Sequence, residues 1–183
     1  MEKAYHLGLI VGRFQMIHNG HMAMIDTALR LCERVGVFVG SSQEAGTVKN
    51  PFSYEMRERM LRTLYGESIA VSPLPDIGVG NTALWGDYVI ARAAERFGAV
   101  PDLLVSGKEE RRTEWLSGDR GDRIAELYIP KAIDISACRM RELLIDGRFD
   151  SWKAYCDERL WDSFDQMREL VLLSQQNTST SSV

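Results

Sequence analysis

Short apolar runs alternate with longer stretches of helical periodicity along almost the whole chain, and that alternation restricts the architecture before any motif is considered. LGLIV at 7–11 is apolar and closed by Gly12, and the stretch 21–34 carries Met24, Ile25, Ala28, Leu29 and Leu31 at the spacing of one helix face. Residues 34–40 read as a second buried strand. The polar loop after it leads to Ser53, placed to cap a helix over 54–64 with Glu55 in its first turn. A third strand is expected over 69–74, ended by Pro73 and Pro75, then the glycine-punctuated loop DIGVGNT and a helix over 83–97. Leu103, Leu104 and Val105 make a fourth strand running into Ser106-Gly107, and 125–129 a fifth. Ser136 begins a helix through 145 that Gly147 stops, and further helices fit 151–156 and 158–173. Strands separated by helices throughout predict a doubly wound α/β fold, a parallel sheet covered on both faces, with C-terminal helices. Ligands of such sheets collect at the carboxyl ends of the strands. The loops after strands one and four meet there if the strand order reverses between them.

A length of 183 residues allows one domain with a substantial core, expected over 1–173, followed by a disordered tail over 174–183, SQQNTSTSSV. Hydrophobic and charged fractions of 45% and 26% are those of a globular protein, with no apolar run long enough for a membrane span. The N-terminus reads as a first strand and not a secretory signal, and the three widely spaced cysteines form neither a disulfide framework nor a CxxC site. A reduced, cytoplasmic protein is expected. The net charge of -4 argues against nucleic acid as a partner, so phosphates would have to be held in a locally positive pocket. KEERRTEWLSGDRGDR at 108–123 reads as a solvated helix and loop.

The chemistry concentrates in GRFQMIHNGH, residues 12–21. A helix starting near Gly20 offers unpaired N–H groups and a partial positive charge, while Gly12 and Gly20 would admit a ligand close to the backbone. His18 and His21, three apart, can face one side of the first turn. Two imidazoles with no third ligand nearby make a poor zinc site, and no GxSxG elbow is present for a nucleophilic serine. Phosphate chemistry fits better, because it needs alignment and charge neutralisation more than covalent help. ISACRMRE supplies a second anion site, with Ser136 capping a helix and Arg139 and Arg141 beside it.

GRFQMIHNGH is similar to the GRFxPxHxGH signature of the HxGH nucleotidylyltransferase superfamily, and ISACRMR resembles its second motif. Within it the chain most resembles the archaeal-type nicotinamide-mononucleotide adenylyltransferases. GSSQEAGTVKNPFSYEMR matches their phosphate-handling stretch, DIGVGNTALWGDYV their Trp-containing loop, and VSGK a nucleotide-contacting turn, across residues 7–155. The resemblance implies a Rossmann-like, nucleotidylyltransferase-type fold. It gives Arg13, His18 and His21 the triphosphate and the migrating α-phosphate, and Ser136 and Arg141 the leaving pyrophosphate. It places Gly12, Phe14, Gly20, Arg57, Ser106, Gly107 and Arg139 around ATP. Trp85 would stack on the pyridine ring, with Asn81 as a polar partner. Arg57 in YEMRERML equally fits a charged helix face, and Trp85 a packed helix start.

The implied reaction is attack by the phosphate of nicotinamide or nicotinate mononucleotide on the α-phosphorus of ATP, giving NAD or its deamido form and pyrophosphate. Magnesium would be carried on the ATP phosphates with no dedicated protein ligands. The resemblance also suggests a homo-oligomer. Two departures stand out: Met16 replaces proline, expected to alter only loop rigidity, and Ala137-Cys138 replaces Gly-Thr, which removes a hydroxyl. Rival readings are a pantetheine-phosphate adenylyltransferase, a cytidylyltransferase, or a nucleotide-binding regulatory module without turnover. GRFQ in place of GTFD, with the Trp loop, favours the pyridine nucleotide.

Overall fold

A computed structural model describes residues 2–107, 114–116, 123–130 and 135–180. Strands β1 (Tyr5–Gly12), β2 (Cys32–Gly40), β3 (Ala70–Leu74), β4 (Leu103–Ser106) and β5 (Ala125–Tyr128) form one sheet in the order β3-β2-β1-β4-β5. Every pairing is parallel. Val71, Val37, Ile10, Val105 and Leu127 line up in register across all five strands and face one core. Their neighbours Leu9, Phe38 and Leu104 point the other way into a second core. Side chains alternate along a strand, so a strand apolar at successive positions has to be covered twice.

Helices α1 (Asn19–Leu31), α2 (Tyr54–Tyr65), α4 (Ala137–Ile145), α5 (Phe149–Lys153) and α6 (Phe164–Thr180) contribute to the first core, and α3 (Ala83–Phe97) covers the second. Trp152, fully buried, and Phe164 pack edge to face at 5.2 Å in the C-terminal layer. None of the described helices is long and apolar enough to cross a membrane. This is the doubly wound α/β architecture, and its strand order reverses between β1 and β4. The loops after these two strands therefore share one end of the sheet.

The expected boundaries shift where pairing overrides periodicity. The first helix ends at Leu31 and not at 34, because Cys32 pairs with Tyr5 and Arg34 with Leu7, which draws the chain directly into β2. Pro73 lies inside β3, opposite Val39, and does not end it. On an outermost strand its missing N–H costs no inner ladder bond. The helix expected over 158–173 splits into a 3-10 turn, Glu158–Ser163, and α6. That last helix runs on into the expected tail as far as Thr180, with Ser174 buried and donating to Val171 O at 2.6 Å.

Candidate active site

The loop after β1 turns inward. Phe14 and Met16 have positive φ, 50° and 135°, and 14–17 are all buried. The Phe14 ring lies 5.0 Å from that of His21, under the histidine pair. Phe14 is thus a floor for His21, its side chain 1% exposed, which leaves its backbone for the nucleotide contact expected of it. Both nearby glycines serve this packing. A Cβ on Gly12 would sit 3.1 Å from the Phe14 ring, and one on Gly20 3.0 Å from the His18 ring. Met16 does more than alter rigidity, because proline, fixed near -65°, cannot adopt its φ.

His18 is the N-cap of α1. Its Nδ1 accepts the Gly20 N–H at 3.2 Å, which leaves the proton of the neutral ring on Nε2. The His21 ring lies 3.9 Å away. Burial, and then the neighbouring His18, hold the His21 pKa well below its ordinary 6.5, so this ring is neutral at neutral pH. The first N–H groups of α1 are not unpaired as the sequence suggested. Asn19 N–H donates to Tyr155 O at 2.9 Å, Gly20 N–H to His18, and His21 N–H to His18 O at 2.8 Å. An anion here would be held by side chains and the helix dipole.

Arg57 is the largest correction. It is 0% exposed, which removes the charged-face reading, and its guanidinium is fully used. Nε donates to Ser53 O, Nη1 to Arg13 O and Gly40 O, and Nη2 to Ser41 O and Glu44 O, between 2.8 and 3.4 Å. An arginine has five N–H donors, so none remains for a phosphate. Gln15, which sequence reasoning passed over, closes the same seam. Its buried amide donates to Phe52 O at 3.1 Å and accepts from Phe52 N at 3.0 Å. Only its place in GRFQ could have signalled that role.

The second motif reaches the first. Ser136 caps α4 by accepting from Arg139 N–H, and Arg141 Nη1 donates to Gln15 O at 3.2 Å while Nη2 donates to Cys138 Sγ. Arg139 instead pairs with Glu142 at 2.8 Å on the exposed face. At the end of β4, Ser106 is buried and Gly107 lies beside the Met24 sulfur of α1. Arg13 is exposed at the mouth of the first loop. Lys108 of the VSGK stretch, and 108–113 and 117–122 of the charged segment, lie outside the described residues.

Trp85 starts α3 but presents little surface, being 8% exposed, and packs against Tyr88 at 5.4 Å and edge-on to Trp115 at 6.4 Å. That is the packed helix start weighed against stacking. Trp115 also donates from Nε1 to Asn81 Oδ1 at 3.4 Å. Its backbone presses on Gly86, where any Cβ would lie 2.1 Å from Trp115 O. Trp115 and Leu116 escaped notice because they are an apolar pair inside a highly charged run.

Residues 9–114 match the cytidylyltransferase-like family. The chain belongs to this family of nucleotidyltransferases. It is 37% identical over 146 residues to the nicotinamide-nucleotide adenylyltransferase of Thermococcus kodakarensis, covering 76% of this chain and 73% of that one. To the enzyme of the same name from Pyrococcus furiosus it is 30% identical over 147 residues, with the same coverages of 76% and 73%. Among solved structures, it is similar to a bifunctional NMN adenylyltransferase/ADP ribose pyrophosphatase from Francisella tularensis complexed with AMP and a manganese ion. The TM-score there is 0.75 at 18% identity, covering 96% of this cytidylyltransferase-like chain and 53% of the other. The chain thus spans about half the length of that bifunctional protein, and the likeness at this identity is one of fold.

Proposed function

We propose that this site transfers the adenylyl group of ATP to nicotinamide or nicotinate mononucleotide, releasing pyrophosphate. The observation that carries the reading is the Arg141 Nη1 contact with Gln15 O. It supports the reading by joining the second motif to the loop that leaves β1, next to the point where the strand order reverses. The identity of the acceptor rests on the relatives named nicotinamide-nucleotide adenylyltransferase.

An oxygen of the mononucleotide phosphate attacks the α-phosphorus, a P–O bond forms, and the bond to the β-phosphate bridging oxygen breaks. The nucleophile is anionic already, so no general base is required. His18, through Nε2, and His21 beside it donate to the transferring phosphoryl oxygens. Arg13 and Arg141 balance the charge gathering on the leaving pyrophosphate. Ser136, occupied as a cap, and Arg139, occupied by Glu142, hold secondary places.

Among the described residues no cluster of three or more His, Cys, Asp or Glu side chains could hold a metal ion. A donor set of imidazoles and guanidiniums fits magnesium only as it arrives on the ATP phosphates, where it supplies charge neutralisation. The thiols are free, Cys32 and Cys156 buried and Cys138 exposed, which supports a cytoplasmic setting.

The test is pyrophosphate release from ATP and magnesium with nicotinamide mononucleotide, nicotinate mononucleotide, phosphopantetheine and glycerol phosphate, and with CTP as an alternative donor. Release with a pyridine mononucleotide alone supports the reading and ranks the two bases. Release with another pair moves the acceptor assignment. ATP binding without release makes the chain a binding module.

A further inference from the structure

Among the described residues, every non-glycine position with positive φ lies in two loops: Phe14 and Met16 after β1, and Ser41 after β2. Such conformations are costly and persist only where the surroundings over-determine them. Gln15, bonded to Phe52, and Arg141, on Gln15 O, hold the first loop, and one side chain joins it to the second. From α2, the Arg57 guanidinium takes Arg13 O on the first loop, and Gly40 O, Ser41 O and Glu44 O on the second, with Ser53 O completing its fork. It is wholly buried and its bonds all run to neutral carbonyls, and these dipoles, with the fields of Glu55 and Asp76, are what stands against its desolvation. A buried cation held in this way is costly for a purely structural tie, which several neutral side chains could make. A planar fork, however, fixes five acceptors in one plane, as no ammonium can.

We propose that Arg57 is a positioning residue that locks the two strained loops into one geometry. It thereby sets where Arg13 and His18 meet the triphosphate, without itself touching a phosphate. This rests on the adenylyl-transfer reading for the identity of the ligand. The Arg13 side chain leaves the protein surface from the same residue whose carbonyl Arg57 grips. His18 follows after the tightly folded 14–17, so release of the grip is felt at both.

The experiment uses the full chain as wild type, Arg57→Lys, Arg57→Gln and Arg57→Ala. Far-UV circular dichroism reports the fold, calorimetry gives ATP and mononucleotide affinities separately, and steady-state kinetics gives kcat and both KM values. The expected result is that Arg57→Lys folds and binds the mononucleotide as wild type does. It loses ATP affinity and falls in kcat/KM for ATP by about a hundredfold, the penalty of a misplacement near 1 Å. Added guanidinium ion should restore ATP binding and turnover to folded Arg57→Ala, and do nothing for wild type. Wild-type ATP affinity and turnover in Arg57→Lys, with loss only in Arg57→Gln, would mean that charge and not the fork matters, and overturns the proposal. Unfolding of all three variants overturns it too, leaving Arg57 a core residue. If wild type releases no pyrophosphate with a pyridine mononucleotide, the adenylyl-transfer reading fails. ATP affinity and its guanidinium rescue still decide the role of Arg57.

Discussion

His18 and His21 look equivalent in sequence and differ in the fold. His18 is tied by its Nδ1 to the first turn of α1, whereas His21 Nδ1 is buried with no hydrogen-bond partner among the described residues. Because the folded His21 pKa is lowered, the unfolded chain binds a proton that the folded one refuses. Stability therefore falls as pH drops below the unfolded value of 6.5, and this continues until the lower folded pKa is reached. The slope from this one group is at most about 1.4 kcal/mol per pH unit. Urea titrations between pH 7.5 and 5.5, set against His21→Ala, should show the variant with a flatter dependence. In kinetics, His21→Ala should keep the fold and lose about a hundredfold in turnover, as a lost transition-state donor would; unchanged turnover removes it from the chemistry. Met16 offers the complementary test. Restoring the proline of the resembling motif should destabilise this chain by at least about 1 kcal/mol, because the ring forbids a φ of 135°. A denaturant midpoint at or above that of wild type would show that the loop relaxes around the substitution.

The elements were legible where one face or one pair of faces decides them. The helix over 83–97 is found as predicted, bounded by Thr82 as cap and Gly98 in the left-handed region. Boundaries failed where a partner decides, as at Cys32, which its register with Tyr5 draws into β2. The contact between α3 and the sheet depends on a missing side chain. A Cβ on Gly36 would lie 2.6 Å from the Phe97 ring, so α3 can close on β2 only over a glycine. Gly36→Ala should cost about 1–3 kcal/mol by forcing that ring off its packing, read as a lower urea midpoint with an unchanged slope. Gly86 plays the corresponding part for residues 114–116. Its replacement by alanine should displace Trp115 from Trp85 and Asn81 and change tryptophan emission, and an emission spectrum identical to wild type would place Trp115 elsewhere.

On the scale of the molecule, the sheet order β3-β2-β1-β4-β5 turns two distant motifs into one site, and the C-terminal helices close the layer behind it. Because Ser174 is buried and Asn177 Nδ2 donates to Gly46 O, ending the chain after Leu173 should lower unfolding free energy by about 1 kcal/mol and leave kcat unchanged. An equal midpoint would make 174–180 dispensable. Residue types and their periodicity alone determined the α/β class and the parallel sheet, and pointed to GRFQMIHNGH and ISACRMRE for the proposed phosphate chemistry. These are local properties, since apolar spacing and capping residues act within a few positions of themselves. The three-dimensional arrangement decided who touches whom: that Arg57 spends its donors on carbonyls, that Phe14 and Gly12 pack together as a floor under His21, and that Trp85 is walled by Trp115. A donor, a ring face or a glycine's empty side can be used only once. Which neighbour uses it depends on contacts between residues far apart in the chain, which no spacing along the sequence encodes.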